Sequence, residues 1–196
     1  MIINDQKIYD GSFIHQRFNY KYFRDKVHPQ GDIVAFRAPA KVDTFLVDLE
    51  DSLSKDYIYS DDMMHFCWEL PLCNNAFGAV AFQWLFCSTV GNILARYLGV
   101  NIEISGDDVI VLKEHSQGGI IQQKGKASVS ITHLVDGVAI GHLGINVVCG
   151  KDAPAFAYST NMSNDKVEAF MRSVQECFYS MVQDIWIATS KTQISK

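Results

Sequence analysis

Apolar positions along the chain predict two long helices. A nearly continuous apolar run over Ala76–Leu98 predicts a buried central helix, with Gly99 as its C-terminal stop. Apolar residues within Val167–Ile185 recur at helical spacing, which predicts a second, amphipathic helix whose apolar stripe faces the core. Asp165 and Glu168 fit a capping box at the start of this second helix.

Shorter apolar runs predict strands in the rest of the chain. In the first third they lie at Ile2–Ile3, Ile8–Tyr9, Ile33–Phe36 and Thr44–Val47, separated by turns that contain glycine or proline. After the central helix they lie at Asn101–Ser105, Asp108–Glu114 and Ile120–Gln123, with a loop over Ser116–Gly119. This order predicts an α+β fold with a mostly antiparallel sheet that helices cover on one side.

The clearest local signal is a β-hairpin around Asp136-Gly137. This dipeptide between two apolar runs favours a type I′ turn, because both central residues of that turn need a positive φ. A two-residue turn fixes the pairing of the strands on either side. The predicted pairs are Val135 with Val138, Ile131 with His142, Val129 with Gly144, and Ala127 with Asn146.

One face of this hairpin is a candidate site. Ala127, Val129, Gly144 and Asn146 share it in the predicted register, and most of these residues are small. Gly141 and Gly144 within one strand predict either a bulge or the close approach of a ligand or another segment. The face therefore suits a flat ligand lying close to the backbone, and a bulged core strand is the alternative.

Composition limits the protein class. The 196 residues fit a single domain over 1–196, and 48% of them are hydrophobic, so the chain can bury a core. A formal charge of −5 argues against a nucleic-acid partner. The basic run Arg17–Lys26 is interleaved with aromatic residues, which leaves a base-stacking surface as an alternative to a solvated turn.

The N-terminal sequence and the cysteines indicate the cellular compartment of the protein. The N-terminus has no basic-then-apolar signal pattern and no uninterrupted apolar run reaches bilayer length, so we expect a cytoplasmic protein without a membrane partner. The five cysteines are an odd number at irregular spacing, which predicts reduced, buried thiols.

Two polar segments are further candidates for chemistry. The acidic stretch Asp48–Asp62, followed by His65 and Cys67, brings together groups that bind divalent metals, but the spacing matches no known ligand pattern. A solvated acidic loop without a metal is therefore the expectation. Glu69 follows Trp68, and a carboxylate beside a large ring can act as a general acid or base; ordinary loop packing is the alternative.

Several motifs resemble the catalytic core of biotin and lipoate protein ligases, whose fold is shared with class II aminoacyl-tRNA synthetases. They follow one another in the family's order between residues 78 and 147. The matching segments are Ala79–Leu98, Asn101–Ile104, Ser105-Gly-Asp-Asp108, Lys126-Ala-Ser-Val129 and Gly144-Ile-Asn146.

The resemblance implies roles for particular residues. Lys126 falls at the position of the family's catalytic lysine, which contacts the acyl and phosphate oxygens of an adenylate, and an ammonium group suits developing negative charge. Arg37 is the nearest candidate for anchoring a carboxylate or phosphate, although the arginine- and glycine-rich nucleotide loop of the ligases has no counterpart here. The implied ligand-binding residues are Arg37, Asp108, His142, Gly144 and Asn146, and the implied cofactors are ATP and magnesium.

A second resemblance extends over nearly the whole chain. It is to a mainly archaeal family called domain of unknown function 366, which implies the same ligase-like fold and leaves the activity open. The segments that carry it are Arg37-Ala-Pro39, Val47-Asp-Leu-Glu-Asp51, Tyr59-Ser-Asp-Asp-Met63 and the strand pair containing Ser128-Val-Ser-Ile131 and Gly144-Ile-Asn146.

Two hypotheses of different classes follow. The first is acyl or adenylyl transfer to a small carboxylic acid, with Lys126 stabilising charge. The second is a non-catalytic module for small-molecule binding or oligomerisation that lacks the nucleotide loop. A homodimer is expected in either case, since buried-looking strand edges need cover.

Overall fold

The computed structural model describes residues 1–3, 8–54, 56–114 and 122–192 of the chain. Two short 3-10 helices, Ser12–His15 and Arg24–Lys26, lie on either side of the first α-helix. In chain order, the other elements within the described residues are α1 (Asn19–Phe23), β1 (Asp32–Val42), α2 (Leu49–Ser54), β2 (Ile58–Leu70), α3 (Ala76–Leu98), β3 (Asn101–Ser105), β4 (Asp108–Glu114), β5 (Gln122–Lys126), β6 (Ser128–Val135), β7 (Val138–Val148) and α4 (Asn164–Ser190).

The strands form two antiparallel sheets. The larger sheet has the order β1-β2-β7-β6, and the smaller has the order β3-β4-β5. Helices α3 and α4 pack on one face of the larger sheet, and the N-terminal segment covers the other face. The predicted α+β class with antiparallel sheets and helices is confirmed.

Residues of the central strand β7 alternate between these two faces. Leu143, Ile145 and Val147 belong to the helix-side core, together with Phe86 of α3 and Phe170 of α4. Ile140 belongs to a second core with Tyr9, Ile14 and Phe18 of the N-terminal segment. The strand is therefore buried on both sides, and its polar residues lie inside the protein.

The predicted hairpin is confirmed. Asp136 and Gly137 have φ angles of 50° and 74°, as a type I′ turn requires, and Val129 pairs with Gly144. Ala127 differs from the prediction, because it packs in the helix-side core. It is the residue between β5 and β6, where the chain crosses from one sheet to the other, so strand alternation does not continue through it.

The two long helices are also confirmed, with one correction at an end. Helix α3 has the predicted bounds; the Asn75 side chain accepts a hydrogen bond from the Gly78 backbone N–H at 2.7 Å, and Gly99 ends the helix with a φ of 68°. Helix α4 begins after Ser163, so the capping box predicted at Asp165 is wrong. Asp165 lies in the first turn, where a carboxylate interacts favourably with the helix dipole.

Helix α3 meets the length and hydropathy requirements of a membrane span, alone among the helices of the described residues. This finding differs from the expectation that no apolar run reaches bilayer length. Half of its apolar window is buried inside the protein, as in the core helix of a soluble domain. A cytoplasmic location stays a prediction.

The sequence did not predict strand β2, and it predicted a neighbouring strand that the structure does not contain. The 13 residues of β2 include part of the stretch predicted as an acidic loop. Asp61, Asp62, His65 and Glu69 interrupt its apolar pattern, so no strand signal stood out. Conversely, Thr44–Val47 contains no strand. The predicted loop Ser116–Gly119, and the first two residues of the strand predicted at Ile120–Gln123, lie outside the described residues.

The outer edge of β1 is covered within the chain. Ile2 and Tyr9 pair with Ala35 and Ala40 in parallel bridges, and the Lys41 backbone N–H donates to the Tyr9 carbonyl at 2.8 Å. A homodimer was expected because exposed strand edges would need a partner. The edge of β1 is covered within the chain, so it gives no support to that expectation. The homodimer stays a prediction.

Glu69 ties the N-terminal segment to the sheet. Its buried carboxylate accepts hydrogen bonds from the backbone N–H groups of Phe18 at 2.8 Å and Asn19 at 3.0 Å, and it pairs with the Arg17 guanidinium. These contacts satisfy backbone donors that the sheet cannot reach. Glu69 is therefore a structural anchor, and it packs within strand β2 where the alternative predicted a loop.

We expect Glu69→Ala to lower the free energy of unfolding by about 3 kcal/mol, because two buried N–H groups lose their acceptor. Glu69→Gln keeps one acceptor oxygen and should cost less. Urea unfolding of the purified variants measures both effects. The control is Glu168→Ala, which removes an exposed partner of Arg172 and should change the free energy by less than about 0.5 kcal/mol. Equal losses in Glu69→Ala and Glu168→Ala would contradict the anchor.

Candidate functional site

A cavity of about 420 Å³ opens on the face of the large sheet opposite helices α3 and α4. Strands β6 and β7, the N-terminal segment and the chain between β1 and β2 form its walls. Its lining includes Tyr9, Val42, Lys126, Ser128, His142 and Asn146. Three of the predicted site residues, Lys126, His142 and Asn146, therefore meet at one cavity.

Lys126 ends strand β5 at the wall of this cavity. Its backbone N–H donates to the Phe156 carbonyl at 2.8 Å, and its own carbonyl accepts from the Tyr158 N–H at 2.8 Å. Its ammonium lies 2.7 Å from the Asp108 carboxylate, and both side chains are about one-third exposed, at 33% and 32%. The two predicted residues Lys126 and Asp108 thus form an ion pair.

His142 lies at the inner end of the cavity and is hydrogen-bonded to His65. The His65 Nε2–H donates to the Ala38 carbonyl at 3.1 Å, so a neutral His65 has an acceptor at Nδ1. This acceptor lies 2.9 Å from Nε2 of His142, which therefore carries a hydrogen and donates it. In a neutral His142 the lone pair is then left on Nδ1.

Burial keeps this histidine pair neutral. It lowers the pKa of His65 to about 3 and that of His142 well below 6.5, and each charged ring would repel the other. The Tyr9 ring stacks on His142 with centroids 4.3 Å apart, and Phe36 stacks on His65 at 4.8 Å. His142 therefore contributes an uncharged imidazole in a fixed orientation to the cavity wall.

Asn146 is the second buried polar group at the cavity, with 4% of its surface exposed. Its backbone is satisfied: the N–H donates to Ala127 at 2.9 Å, and the carbonyl accepts from the Thr160 hydroxyl at 2.8 Å. Across the described parts of the chain, no group forms a hydrogen bond with its carboxamide. The buried side-chain atoms without a partner there belong to Asn19, His28 and Trp68, so the Asn146 carboxamide is accessible from the cavity and can bond a ligand.

Three aspartates also line the cavity. The Asp48 carboxylate caps α2 by accepting the Glu50 N–H at 2.7 Å, and Asp56 accepts from the Ser54 hydroxyl at 3.0 Å. Burial, and then the charges of Asp48 and Asp56, raise the pKa of Asp51, whereas the Lys126 ammonium lowers it. The carboxylates are therefore close enough to interact with one another.

Three of the five predicted ligand residues, Arg37, Asp108 and Gly144, do not line the cavity. The Arg37 guanidinium pairs with the Asp62 carboxylate, at 2.8 Å and 3.1 Å from its Nε, and donates to the Asn164 side chain at 2.7 Å. Gly144 lies under Met63 of β2, whose sulfur would be 2.3 Å from an added Cβ. The close approach at this glycine is that of a neighbouring strand.

The other candidate segments show no assembled site within the described residues. No group of three His, Cys, Asp or Glu side chains there is placed to hold a metal ion. All five cysteines are free, and burial raises the pKa of Cys67 well above 9.0. The run Arg17–Lys26 forms α1 and its flanks, with Phe18 buried in the N-terminal core.

One protein-family model matches nearly the whole chain. The model described as "Domain of unknown function (DUF366)" matches residues 1–193. The chain belongs to the DUF366 family. No curated protein matches it.

Solved structures share the DUF366 fold to different degrees. A protein of unknown function from Pyrococcus horikoshi has a TM-score of 0.82 at 23% identity, over 100% of this chain and 98% of the other. Biotin protein ligase from Aquifex aeolicus has a TM-score of 0.51 at 13% identity, over 93% and 70%. P. falciparum LipL1 in complex with lipoate has a TM-score of 0.53 at 11% identity, over 92% and 60%. These similarities confirm a biotin/lipoate ligase-like fold and show the fold alone.

Sequence reasoning missed two residues of this DUF366 site. Tyr9 was assigned only to a short strand, and His65 only to a weak metal hypothesis. Both contact His142 through the packing of distant segments, and no local spacing reveals that contact. The one sequence signal for His65 was its position within an apolar run, which predicts a buried histidine.

The histidine pair should make stability depend on pH. Below about pH 6.5 both histidines become protonated in the unfolded chain. In the folded protein they stay neutral, because their pKa values are depressed. The free energy of unfolding should therefore fall as the pH drops from 6.5 to 5, by up to about 1.4 kcal/mol per pH unit for each proton. Urea unfolding at several pH values measures this slope.

The variant His142→Gln retains an N–H donor for His65 but has one fewer buried imidazole, so its slope should be shallower. The control His15→Gln makes the same change at an exposed position and should keep the native slope. An unchanged slope in His142→Gln would contradict the assignment.

Proposed function

We propose that this protein binds a small organic molecule in the cavity between β6, β7 and the N-terminal segment. The observation that carries the proposal is the carboxamide of Asn146, a residue that is only 4% exposed and lines the cavity without a side-chain partner among the described residues. His142 offers a second polar atom there, and apolar residues such as Val42 and Ile58 supply most of the remaining wall. A few convergent polar groups in an apolar cavity are typical of a ligand site.

The size of the cavity supports the same proposal. Its volume of about 420 Å³ lies within the usual range for small-molecule pockets. Hydrogen bonding and ring stacking hold His142, and strand pairing holds the Asn146 backbone. Such a preorganised site loses little entropy when it binds.

Acyl or adenylyl transfer is a second candidate function, favoured by the position of Lys126 at the cavity wall. It would act on a small carboxylic acid, with ATP and magnesium as the cofactors that the ligase resemblance implies. The described lining does not fit a triphosphate, however, because Lys126 is its only basic residue and three aspartates lie beside it. We therefore derive no step through a nucleotide.

A thermal-shift screen tests binding, because a ligand specific for the folded state raises the melting temperature. The panel contains ATP with magnesium, biotin, lipoate, octanoate, amino acids and simple amines. We expect at least one compound to stabilise the native protein and to lose most of that effect with Asn146→Ala. Lys126→Ala, run beside it, should abolish binding only if the ligand contacts the lysine.

The matched control is Asn164→Ala, which alters an exposed asparagine outside the cavity and should keep the native response. Stabilisation that survives Asn146→Ala would place the ligand elsewhere and overturn the proposed site. Turnover of ATP that Lys126→Ala abolishes would establish the transfer reaction.

Oligomerisation is the remaining part of the non-catalytic hypothesis. Helix α3 exposes Phe77, Val80, Trp84 and Leu85 along one side, and the helix has no charged residue before Arg96. A second copy of this chain suits the stripe, because two chains of formal charge −5 would meet there without opposing like charges.

Light scattering after gel filtration tests this homodimer. We expect a dimeric mass for the native chain and a monomeric mass for Phe77→Glu, whose new charge would lie in the interface. Tyr20→Glu alters another exposed ring, outside the stripe, and should leave the mass dimeric. A monomeric native chain at about 100 µM, well above the Kd of a stable dimer, would overturn the prediction.

A further inference from the structure

We infer that the ligand of this cavity is an organic cation, an amine or ammonium group carried on an apolar body. The inference rests on the proposed function, since it names the ligand class for the same cavity. It departs from the carboxylic acids and nucleotides that the resemblance to ligases suggests. Three features of the cavity carry it: its net charge, its aromatic lining and the neutral polar groups at its inner end.

The charge balance of the lining is negative. Among the described residues that line the cavity, Lys126 is the single basic one, and Asp108 already neutralises it across 2.7 Å. Asp48, Asp51 and Asp56 line the same cavity. An anionic ligand would therefore meet three carboxylates and a single ammonium that is already paired, whereas a cation would relieve the repulsion among the carboxylates.

Asp51 is the carboxylate best placed for direct contact. Asp48 is engaged as the cap of α2, and Asp56 accepts the Ser54 hydroxyl. No donor within the described chain forms a hydrogen bond with the Asp51 carboxylate, which lies half-buried between these two charges. An ammonium group supplies the hydrogen-bond donors that this oxygen pair lacks, together with a second positive charge beside that of Lys126.

Aromatic rings line the cavity together with these aspartates. Phe45, Tyr57, Tyr59 and Phe156 all contribute to its wall, and Tyr57 and Phe156 are more than half exposed, at 53% and 62%. The face of an aromatic ring carries partial negative charge and attracts cations. Rings and carboxylates in one lining are the combination that recognises ammonium groups.

The inner end of the cavity differs from this acidic part. Asn146 and His142 are uncharged there, and the tautomer of His142 leaves a lone pair on Nδ1 that can accept a hydrogen bond. They match a hydroxyl or N–H group on the far side of the ligand. The ligand class is therefore an apolar body with a cationic group at one end and a hydrogen-bond donor at the other.

Three indole probes test the ligand class by isothermal titration. Tryptamine, tryptophol and 3-indolepropionate share the ring, its N–H donor and a two-carbon chain, but end in a cation, a neutral hydroxyl and an anion. We expect tryptamine to bind at least tenfold more tightly than 3-indolepropionate, with tryptophol between them. Asp51→Asn should weaken tryptamine about fivefold, the effect of a partly exposed ion pair, and leave tryptophol unchanged.

Two further variants locate the binding. Asn146→Ala should weaken all three probes by a similar factor, because it acts on the shared indole end. Asp136→Asn removes the same charge as Asp51→Asn at the exposed hairpin turn, where asparagine also suits a type I′ geometry, and should change no affinity.

The outcomes separate the two proposals. Binding of 3-indolepropionate as tight as that of tryptamine, and sensitive to Asn146→Ala, would overturn the cationic class and leave the proposed cavity intact. Tryptamine binding that Asn146→Ala does not weaken would overturn both, because the probe would lie outside the cavity. The absence of tryptamine binding at millimolar concentration would overturn the cationic class, whereas the thermal-shift panel would still decide the proposed function.

Discussion

Burial of both faces of the central strands β2 and β7 is the constraint on which the rest of the structure depends. One face needs only apolar residues, because α3 and α4 cover it with a hydrophobic core. The other face carries His65, Glu69, His142 and Asn146 in a setting where an unpaired polar group is costly. The N-terminal segment meets this constraint in part: it satisfies Glu69 by hydrogen bonds and stacks Tyr9 on both histidines.

These polar residues are satisfied to different degrees, and the difference defines the site. Glu69 is fully engaged by Arg17 and two backbone donors, so it stabilises and does not react. The two histidines satisfy one another, with one acceptor atom to spare. Asn146 has no side-chain partner among the described residues. The hydrogen-bonding capacity that remains among these four residues therefore belongs to His142 and Asn146, and both line the cavity.

Local signals were sufficient for part of the fold. The apolar run of α3 with its glycine stop, and the Asp136-Gly137 turn with its flanking alternation, specify their elements without help from the rest of the chain. Strand β2 was not predictable in this way, because His65 and Glu69 are stabilised by partners that lie tens of residues away. Its burial is a property of the assembled sheet.

The site shows the same division between local and assembled information. A resemblance to ligases pointed to Lys126 and Asn146, and both line the cavity. It could not supply their surroundings, since the acidic chain around Asp51 lies in a segment with no counterpart among the matched motifs. The same lysine stabilises an anion when it is unpaired and serves mainly to balance carboxylates when it is paired with Asp108. We therefore expect the ligand preference of this fold to depend on the charges that surround the shared lysine more than on the lysine itself.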